Sequence, residues 1–273
     1  MSLHKEWIQF QDGDQTYRLY TARPALAEGP LPAIIVIQEI WGTDEHILDV
    51  TERFAKAGYL AVSPDLFAEN GQRPPSMTNE RITKVKQFLN TIPPTAWHSP
   101  EKREAELKKL PEAVRSEIDE TFQNVFGSLE KFPKFIAQLK ATVRFLSSGE
   151  YRLVKKIGSV GFCMGGALSA LLATEVPDLG GAVIFYGRFP DEERIAKIEC
   201  PVIGFFGELD ESINAGLPQF VENMKKAEKS FNYKVYPGAQ HAFFNDTRPS
   251  YHADAARDAF AKTLSFFNDV LGQ

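Results

Sequence analysis

Short apolar runs alternate with amphipathic segments along most of the chain. Apolar runs without a break are typical of strands buried on both faces of a sheet, and they span residues 33–37, 59–62, 157–161, 181–187 and 201–206. Apolar residues spaced three or four apart predict helices between these runs, near residues 43–58, 135–145, 192–198, 217–226 and 251–271. Alternating strands and helices predict an α/β fold, in which helices flank a mostly parallel central sheet.

The two ends of this pattern and one interruption stand out. Residues 5–22 predict a hairpin that turns at Asp12-Gly13, and residues 231–236 alternate in polarity, as expected near a sheet edge. Residues 67–130 break the alternation with Asn-Gly and Pro-Pro pairs and a charge-dense segment. We interpret residues 1–273 as one domain in which residues 67–130 form a helical insertion. This insertion is either a solvated set of helices joined by side-chain ion pairs, a cap over a site, or a dimer contact.

The composition excludes several classes of protein. The 273 residues are 43% hydrophobic and 25% charged, and the net charge of −5 disfavours nucleic acid or an anionic membrane as a partner. Residues 1–10 lack the apolar core of a secretion signal, and two cysteines at unrelated positions form no disulfide framework or metal knuckle. We therefore expect a cytoplasmic monomer or homodimer that acts on a small molecule without a metal or cofactor.

The candidate chemistry is concentrated in Gly161-Phe162-Cys163-Met164-Gly165-Gly166. An apolar strand that runs through a glycine-flanked turn into a helix is the pattern of a nucleophile elbow, with Cys163 where serine is usual. The start of the following helix favours a thiolate, and the Met164 amide is placed to meet an oxyanion. A phosphate-binding loop is disfavoured, because G-x-G-x-x-G requires glycine at position 163. Cys200 is interpreted as an inert buried thiol.

A base and an acid follow the elbow in the order that this architecture requires. Asp210 comes just after the run 201–206, and His241 comes just after the predicted strand 231–236. In an open α/β sheet with an elbow, the nucleophile, the acid and the histidine lie in this order at the carboxyl ends of strands. Glu208 and Glu211 are rivals of Asp210, but a shift of one or two residues redirects the side chain.

The loop after the run 33–37 supplies the remaining parts of the predicted site. The backbone N–H of Ile40 is the candidate second donor to the oxyanion. Glu39 beside it is unusual, because a carboxylate that faces the thiol disfavours the thiolate by like charge. Glu39 either caps or hydrogen-bonds its own loop, or it controls when Cys163 becomes reactive.

Four blocks in order and spacing resemble the dienelactone hydrolase family over residues 5–271 apart from the insertion. They are Gln38-Glu39-Ile40-Trp41-Gly42, the elbow, Gly207-Glu208-Leu209-Asp210 and Gly238-Ala239-Gln240-His241-Ala242-Phe243. The resemblance implies an α/β-hydrolase fold, a triad of Cys163, His241 and Asp210, and cleavage of an ester or lactone through an acyl-cysteine without a cofactor. It also implies that Glu39 hydrogen-bonds the resting thiol and helps to form the thiolate.

The chain departs from the family pattern where the substrate is chosen. Lactone-cleaving members carry arginine four residues after the histidine, and this chain has Asn245 there, with Arg248 nearby. Arginine binds a carboxylate through a bidentate fork that asparagine lacks. The partnering arginine would fall in or beside the insertion, where Arg103 and Arg115 are candidates. Trp41, Tyr186, Asn245 and Arg248 are the predicted substrate contacts.

Two other functions are compatible with a cysteine elbow. Class I glutamine amidotransferases share it, but they pair it with His-x-Glu, and this chain has His241-Ala242-Phe243. A relative that binds ligands without catalysis is expected to lack a triad residue, and all three are present. We therefore favour an ester or lactone hydrolase over a cysteine amidase and over a binding protein.

Overall fold

The computed structural model describes residues 2–97, 99–148 and 154–272. The strands of these residues form one eight-stranded sheet, in the order β1-β2-β4-β3-β5-β6-β7-β8. They are β1 (Leu3–Asp12), β2 (Gln15–Pro24), β3 (Leu31–Ile37), β4 (Leu60–Pro64), β5 (Val154–Phe162), β6 (Gly181–Phe185), β7 (Val202–Gly207) and β8 (Phe231–Tyr236). Strand β2 is antiparallel to β1 and β4, and the pairs from β4 to β8 are parallel. The predicted mostly parallel sheet is confirmed.

Helices cover both faces of this sheet. The described helices are α1 (Glu45–Lys56), α2 (Asn79–Thr91), α3 (Pro94–Trp97), α4 (Pro100–Leu107), α5 (Glu112–Gly127), α6 (Phe132–Ser147), α7 (Met164–Glu175), α8 (Glu192–Ile195), α9 (Glu211–Asn214), α10 (Leu217–Lys226) and α11 (Ala253–Leu271). No helix of the described residues is both long and apolar enough to span a membrane.

Central strands are buried on both faces, as their unbroken apolar runs predict. Along β3, Ile35 and Ile37 face one hydrophobic cluster, whereas Ile34 and Val36 face the other. Because successive side chains of a strand point to opposite faces, a strand between two helix layers must be apolar at every position. Parallel strands end at the same edge of a sheet. The loops with candidate chemistry therefore begin at one edge, at the carboxyl ends of β3, β5, β6, β7 and β8.

Local boundaries differ from the predictions at two places that bear on the site. Helix α7 begins at Met164 and not at the predicted Ala167, because Gly165 and Gly166 belong to the helix and pack closely against strand backbone. The predicted strand 181–187 ends at Phe185, because Tyr186 has a φ of 40° and turns the chain away from the sheet. The hairpin turn is confirmed, with Gly13 at a φ of 61°.

The predicted helical insertion contains α2 to α5. Helices α2 and α5 pack through apolar residues, including Val85, Phe88 and Phe122. Ion pairs also join them, among them the contact of Arg81 with Glu120 at 2.7 Å. The insertion therefore has an apolar interior that is continuous with one of the two clusters of the main body.

Candidate active site

Cys163 lies in a sharp turn between β5 and α7. Its φ of 55° and ψ of −115° place a non-glycine residue in strained backbone. The neighbouring glycines are required by crowding: a Cβ on Gly161 would lie 1.8 Å from the Gly165 carbonyl oxygen, and one on Gly165 would lie 2.3 Å from the Ile37 carbonyl oxygen. The turn therefore holds the Cys163 side chain at the sheet edge and presses the start of α7 against the end of β3.

Two backbone N–H groups beside this turn are free to bind an oxyanion. Met164 is the first residue of α7, and the initial N–H groups of a helix lack partners within it. Ile40 lies in a turn closed by the hydrogen bond from Gly42 N to the Glu39 carbonyl oxygen at 3.2 Å. Neither the Met164 N–H nor the Ile40 N–H has a hydrogen-bond acceptor among the described residues. The close contact of Gly165 with Ile37 brings these two segments together.

His241 and Asp210 are in direct contact across two loops. The distance from His241 Nδ1 to Asp210 Oδ2 is 2.5 Å, and the carboxylate is buried whereas 40% of the imidazole side chain is exposed. The two loops are joined by the hydrogen bond from Leu209 N to the Ala239 carbonyl oxygen at 2.9 Å. Ser212 Oγ donates to the other Asp210 oxygen at 3.3 Å. The acid is thus buried and fixed, and the histidine is open to a reactant.

The environment of His241 favours its protonated form. Desolvation lowers the pKa of the imidazole, but hydrogen bonds to Asp210 and then to Cys163 outweigh it and raise the pKa from 6.5 to about 10. The imidazole is therefore in contact with the Asp210 carboxylate, and Cys163 is near enough to influence its pKa.

Glu39 is a buried carboxylate with two neutral partners. Only 2% of the residue is exposed. Tyr186 Oη donates to Glu39 Oε1 at 3.2 Å, and Asn245 Nδ2 donates to Glu39 Oε2 at 3.0 Å. Among the described residues, Glu39 makes no hydrogen bond to Cys163 and no ion pair. The hydrogen bond to the thiol that the resemblance implies is therefore not formed in this structure.

Tyr186 connects Glu39 with the imidazole. Its ring centre lies 5.0 Å from that of His241. Burial raises the pKa of the Tyr186 hydroxyl well above its ordinary value, and the neighbouring Glu39 and Cys163 raise it further. Tyr186 accordingly stays protonated and donates to Glu39.

Of the predicted substrate contacts, Trp41 and Arg248 lie together at a small crevice. The Arg248 guanidinium lies 5.5 Å from the centre of the Trp41 ring, and Lys86 Nζ lies 5.6 Å from it. The crevice has a volume of about 50 Å³ and extends to Trp97 of the insertion. Within the described residues, Arg248 makes no ion pair or side-chain hydrogen bond. Asn245 and Tyr186 are instead fully buried behind this surface, against Glu39.

Other candidates lie away from this cluster. Arg103 packs over the Phe122 ring at 4.0 Å, and Arg115 approaches Glu112 on the same helix at 3.9 Å, so both remain within the insertion. Glu208 accepts a hydrogen bond from Gly238 N at 2.9 Å and is exposed, which leaves Asp210 as the acid beside His241.

Sequence reasoning missed Lys86 and the contribution of the insertion. Lys86 reaches Trp41 only because α2 packs beside the loop after β3. No local pattern distinguishes it from the other lysines of the insertion. Among the described residues, no group of three His, Cys, Asp or Glu side chains is arranged to hold a metal ion.

A groove of about 780 Å³ lies along α6 and α7, apart from this cluster. Its lining includes Phe132, Ile136, Leu171 and Arg188, but not Cys163, Asp210 or His241. The volume of this groove therefore says nothing about the candidate chemistry.

Known proteins are similar to this chain over most of its length. The profile described as "Dienelactone hydrolase family" matches residues 17–271. A relative from Saccharolobus solfataricus, named "Putative carboxymethylenebutenolidase", is 38% identical over 270 residues, which cover 98% of this chain and 99% of the relative. A relative of the same name from Yersinia pestis is 30% identical, with coverage of 91% and 82%.

A solved structure is also similar over nearly the whole chain. It is described as a crystal structure of a "Putative Dienelactone Hydrolase" from Klebsiella pneumoniae, with a TM-score of 0.70 and 26% sequence identity. The match covers 98% of this chain and 99% of that one. The predicted α/β-hydrolase fold is confirmed.

Proposed function

The chain belongs to the dienelactone hydrolase family, and from this premise we propose that it cleaves a carboxylic ester or lactone through an acyl-cysteine intermediate. Cys163 is the nucleophile, His241 is the general base and acid, and Asp210 orients the imidazole. The observation that carries the proposal is the contact of His241 Nδ1 with the Asp210 carboxylate, together with the influence of Cys163 on the pKa of the same imidazole.

The reaction proceeds in two halves. His241 takes the proton of the Cys163 thiol, and the thiolate attacks the carbonyl carbon of the substrate. The backbone N–H groups of Met164 and Ile40 hold the negative charge that develops on the carbonyl oxygen. The imidazolium then protonates the departing alcohol, which stays attached to the acyl group when the substrate is a lactone. Water, deprotonated by His241, finally cleaves the thioester to release the carboxylate and restore the thiol.

Glu39 acts on the thiol through its charge. It is buried in the loop after β3, which packs against the elbow at Gly165, and both Glu39 and Cys163 raise the pKa of Tyr186. A carboxylate at this place opposes formation of a resting thiolate, because like charges repel in a desolvated site. Glu39 thereby restrains the reactivity of Cys163 until a substrate displaces water or alters the position of the carboxylate.

The crevice at Trp41 forms part of the substrate site. Trp41 adjoins Ile40, and its ring faces two cations, Arg248 and Lys86. The guanidinium of Arg248 has no side-chain partner among the described residues, whereas Lys86 pairs with Asp44 at 2.5 Å. We infer that Arg248 contacts an acidic or strongly polar group of the substrate, in the manner in which arginine binds carboxylates.

Residues 67–130 act as a cap within a single domain of residues 1–273. The ring of Phe126 meets Trp41 edge-on at 6.0 Å, and Ser128 Oγ lies 3.9 Å from the sulfur of Met164. Both of these contacts join the insertion to residues that flank the reacting atoms. The cap reading is therefore favoured over a purely solvated insertion.

The mechanism also bears on the compartment and the substrate size. It requires a reduced thiol at Cys163, and both cysteines are free thiols in the structure. A reducing, cytoplasmic location is consistent with this requirement. We expect a small-molecule substrate that binds at Trp41 and Arg248, beside the insertion.

Rapid-mixing hydrolysis of p-nitrophenyl acetate and a panel of enol lactones tests this proposal. Cys163→Ala is expected to fold and to lose at least about 1,000-fold in kcat/KM, whereas Cys200→Ala retains the wild-type rate because Cys200 is buried away from His241. Mass spectrometry is expected to find the acyl group on Cys163. Equal rates in the two variants would remove Cys163 as the nucleophile, and a wild-type protein that is inactive on every ester would favour a binding protein or an amide substrate.

A further inference from the structure

We propose that Asn245 is a positioning residue that holds the Glu39 carboxylate ionised and in place beside Cys163. The proposal rests on the proposed function, in which Cys163 is the reacting thiol. It assigns to Asn245 a different role from the substrate contact that the sequence predicts.

The side-chain amide of Asn245 is itself held in one orientation. Its side-chain oxygen accepts hydrogen bonds from Thr247 N at 3.0 Å and from Thr247 Oγ1 at 2.7 Å. A backbone N–H can only donate, so this contact decides which end of the amide is oxygen. The amide nitrogen must then face Glu39, to which it donates at 3.0 Å. Asn245 cannot reverse this contact by flipping.

The loop that carries Asn245 is anchored by contacts that do not involve Glu39. Asn245 N donates to the Ala242 carbonyl oxygen at 3.0 Å, and the next residue, Asp246, pairs with Arg53 of α1 at 2.6 Å. The loop also carries His241 four residues earlier. Asn245 therefore links the segment that holds the base to the carboxylate at the end of β3.

The charge of the Glu39 carboxylate depends on its hydrogen-bond donors. A buried carboxylate is stable as an anion only when donors replace the lost water. Asn245 is one of two such donors, and the other is the hydroxyl of Tyr186. An amide nitrogen can only donate, and its hydrogen bond is stronger to an ionised carboxylate than to a protonated one, so Asn245 favours the ionised form of Glu39.

Several titratable and charged groups surround the pair formed by Glu39 and Asn245. Tyr186, which follows β6, donates to Glu39, and Cys163 at the elbow and Arg248 in the loop after β8 are near enough to influence the pKa of the Tyr186 hydroxyl. His241 interacts with Cys163 and with Asp210 from the end of β7. Among the described residues, the Asn245 side chain hydrogen-bonds only to Glu39 and Thr247, so its replacement acts on the thiol through the Glu39 carboxylate.

The test is the pH dependence of iodoacetamide alkylation of Cys163, followed by mass spectrometry of its peptide. Without the donor, Glu39 takes up a proton more readily and opposes the thiolate less. Asn245→Leu is therefore expected to move the alkylation curve to lower pH by about one unit. Asn245→Ser, whose hydroxyl is too short to reach Glu39, is expected to move the alkylation curve in the same direction. This variant provides the test if the leucine variant fails to fold.

Two comparisons separate positioning from a general structural effect. Asn223→Leu replaces a buried asparagine of α10, which contacts Gln219 and not Glu39, and it is expected to leave the curve unchanged. In a Glu39→Gln background, Asn245→Leu is expected to produce no further shift. An unchanged curve in both Asn245 variants, or an equal shift in the Glu39→Gln background, overturns the proposal. An alkylated peptide other than that of Cys163 would instead contradict the proposed nucleophile.

Discussion

At the scale of single residues, the site holds two buried carboxylates with opposite partners. Asp210 contacts an imidazole and gains from a positive charge there, whereas Glu39 contacts only neutral donors. In the proposed mechanism the two carboxylates act in opposite directions on Cys163 and His241: Asp210 favours the imidazolium, and Glu39 disfavours the thiolate. Their balance determines how much of the imidazolium–thiolate pair is present before a substrate arrives.

The protonation of His241 provides a prediction at this scale. Desolvation alone would lower its pKa, and the contacts with Asp210 and Cys163 raise it to about 10. Asp210→Asn is expected to lower the titration midpoint of the His241 ring by several units, as measured by NMR of the imidazole protons. Asp191→Asn, which removes a surface carboxylate that caps α8, is expected to leave it unchanged. Equal midpoints in the wild type and Asp210→Asn would contradict the role of Asp210.

The same contact has a consequence for stability. Because folding raises the pKa of His241, the contact stabilises the native state fully below pH 6.5, the ordinary pKa of histidine. This contribution is lost as the pH rises through about 10. The effect is reduced by solvent, since the imidazole is partly exposed.

At the scale of elements, a rigid elbow lies next to the proposed cap, which is built from helices of the insertion. The elbow is fixed by glycines that allow backbone to touch backbone, as at Gly161 and Gly165. The cap touches the site through the side chains of Phe126 and Ser128. The chemistry therefore depends on backbone positions that tolerate no Cβ, whereas access to it depends on side chains that can be exchanged.

Removal of the Phe126 ring tests the cap. Phe126→Ala is expected to open space above Trp41 and to raise the kcat/KM of p-nitrophenyl hexanoate relative to the acetate about tenfold, since each methylene that gains a pocket changes selectivity on this order. Val114→Ala, an exposed position on the same helix, is the control. Equal selectivity in both variants would show that α5 does not border the acyl group.

What could be predicted from the sequence follows the range of the interactions involved. The strands, the hairpin and α10 follow from patterns of a few residues, and their predictions are confirmed except at the end of the predicted strand 181–187, which stops at Phe185. The start of α7 was predicted three residues late, because glycine is read as a helix breaker unless its close packing is known. The contacts of Asn245 with Glu39 and of Lys86 with Trp41 join distant segments, and no local pattern encodes them.

At the scale of the whole molecule, the last helix closes onto the middle of the sheet. Phe267 of α11 is fully buried, and its ring packs at 6.0 Å from that of Phe54 on α1. It fills the space left by Gly158, where a Cβ would lie 2.7 Å from the ring. The strand that leads to Cys163 is therefore supported by the carboxyl-terminal helix.

This support can be measured as stability. Phe267→Ala is expected to lower the free energy of unfolding by about 3–5 kcal/mol, because it leaves a cavity beside a central strand. Urea unfolding provides the measurement, and Asn268→Ala, at the exposed neighbouring position, is expected to change it by about 0.5 kcal/mol or less. A similarly small loss in both variants would mean that the core collapses around the missing ring without cost.

The contact between Glu39 and Asn245 spans 206 positions of the chain. A growing or refolding polypeptide can form the elbow and several parallel strands before the segment that follows β8 has docked. Until then Cys163 lacks His241, its proposed base, and Glu39 lacks the hydrogen bond from Asn245. On the proposed function, turnover of substrate therefore requires the segment after β8, and a chain that ends before this segment is expected to be inactive even where the elbow has formed.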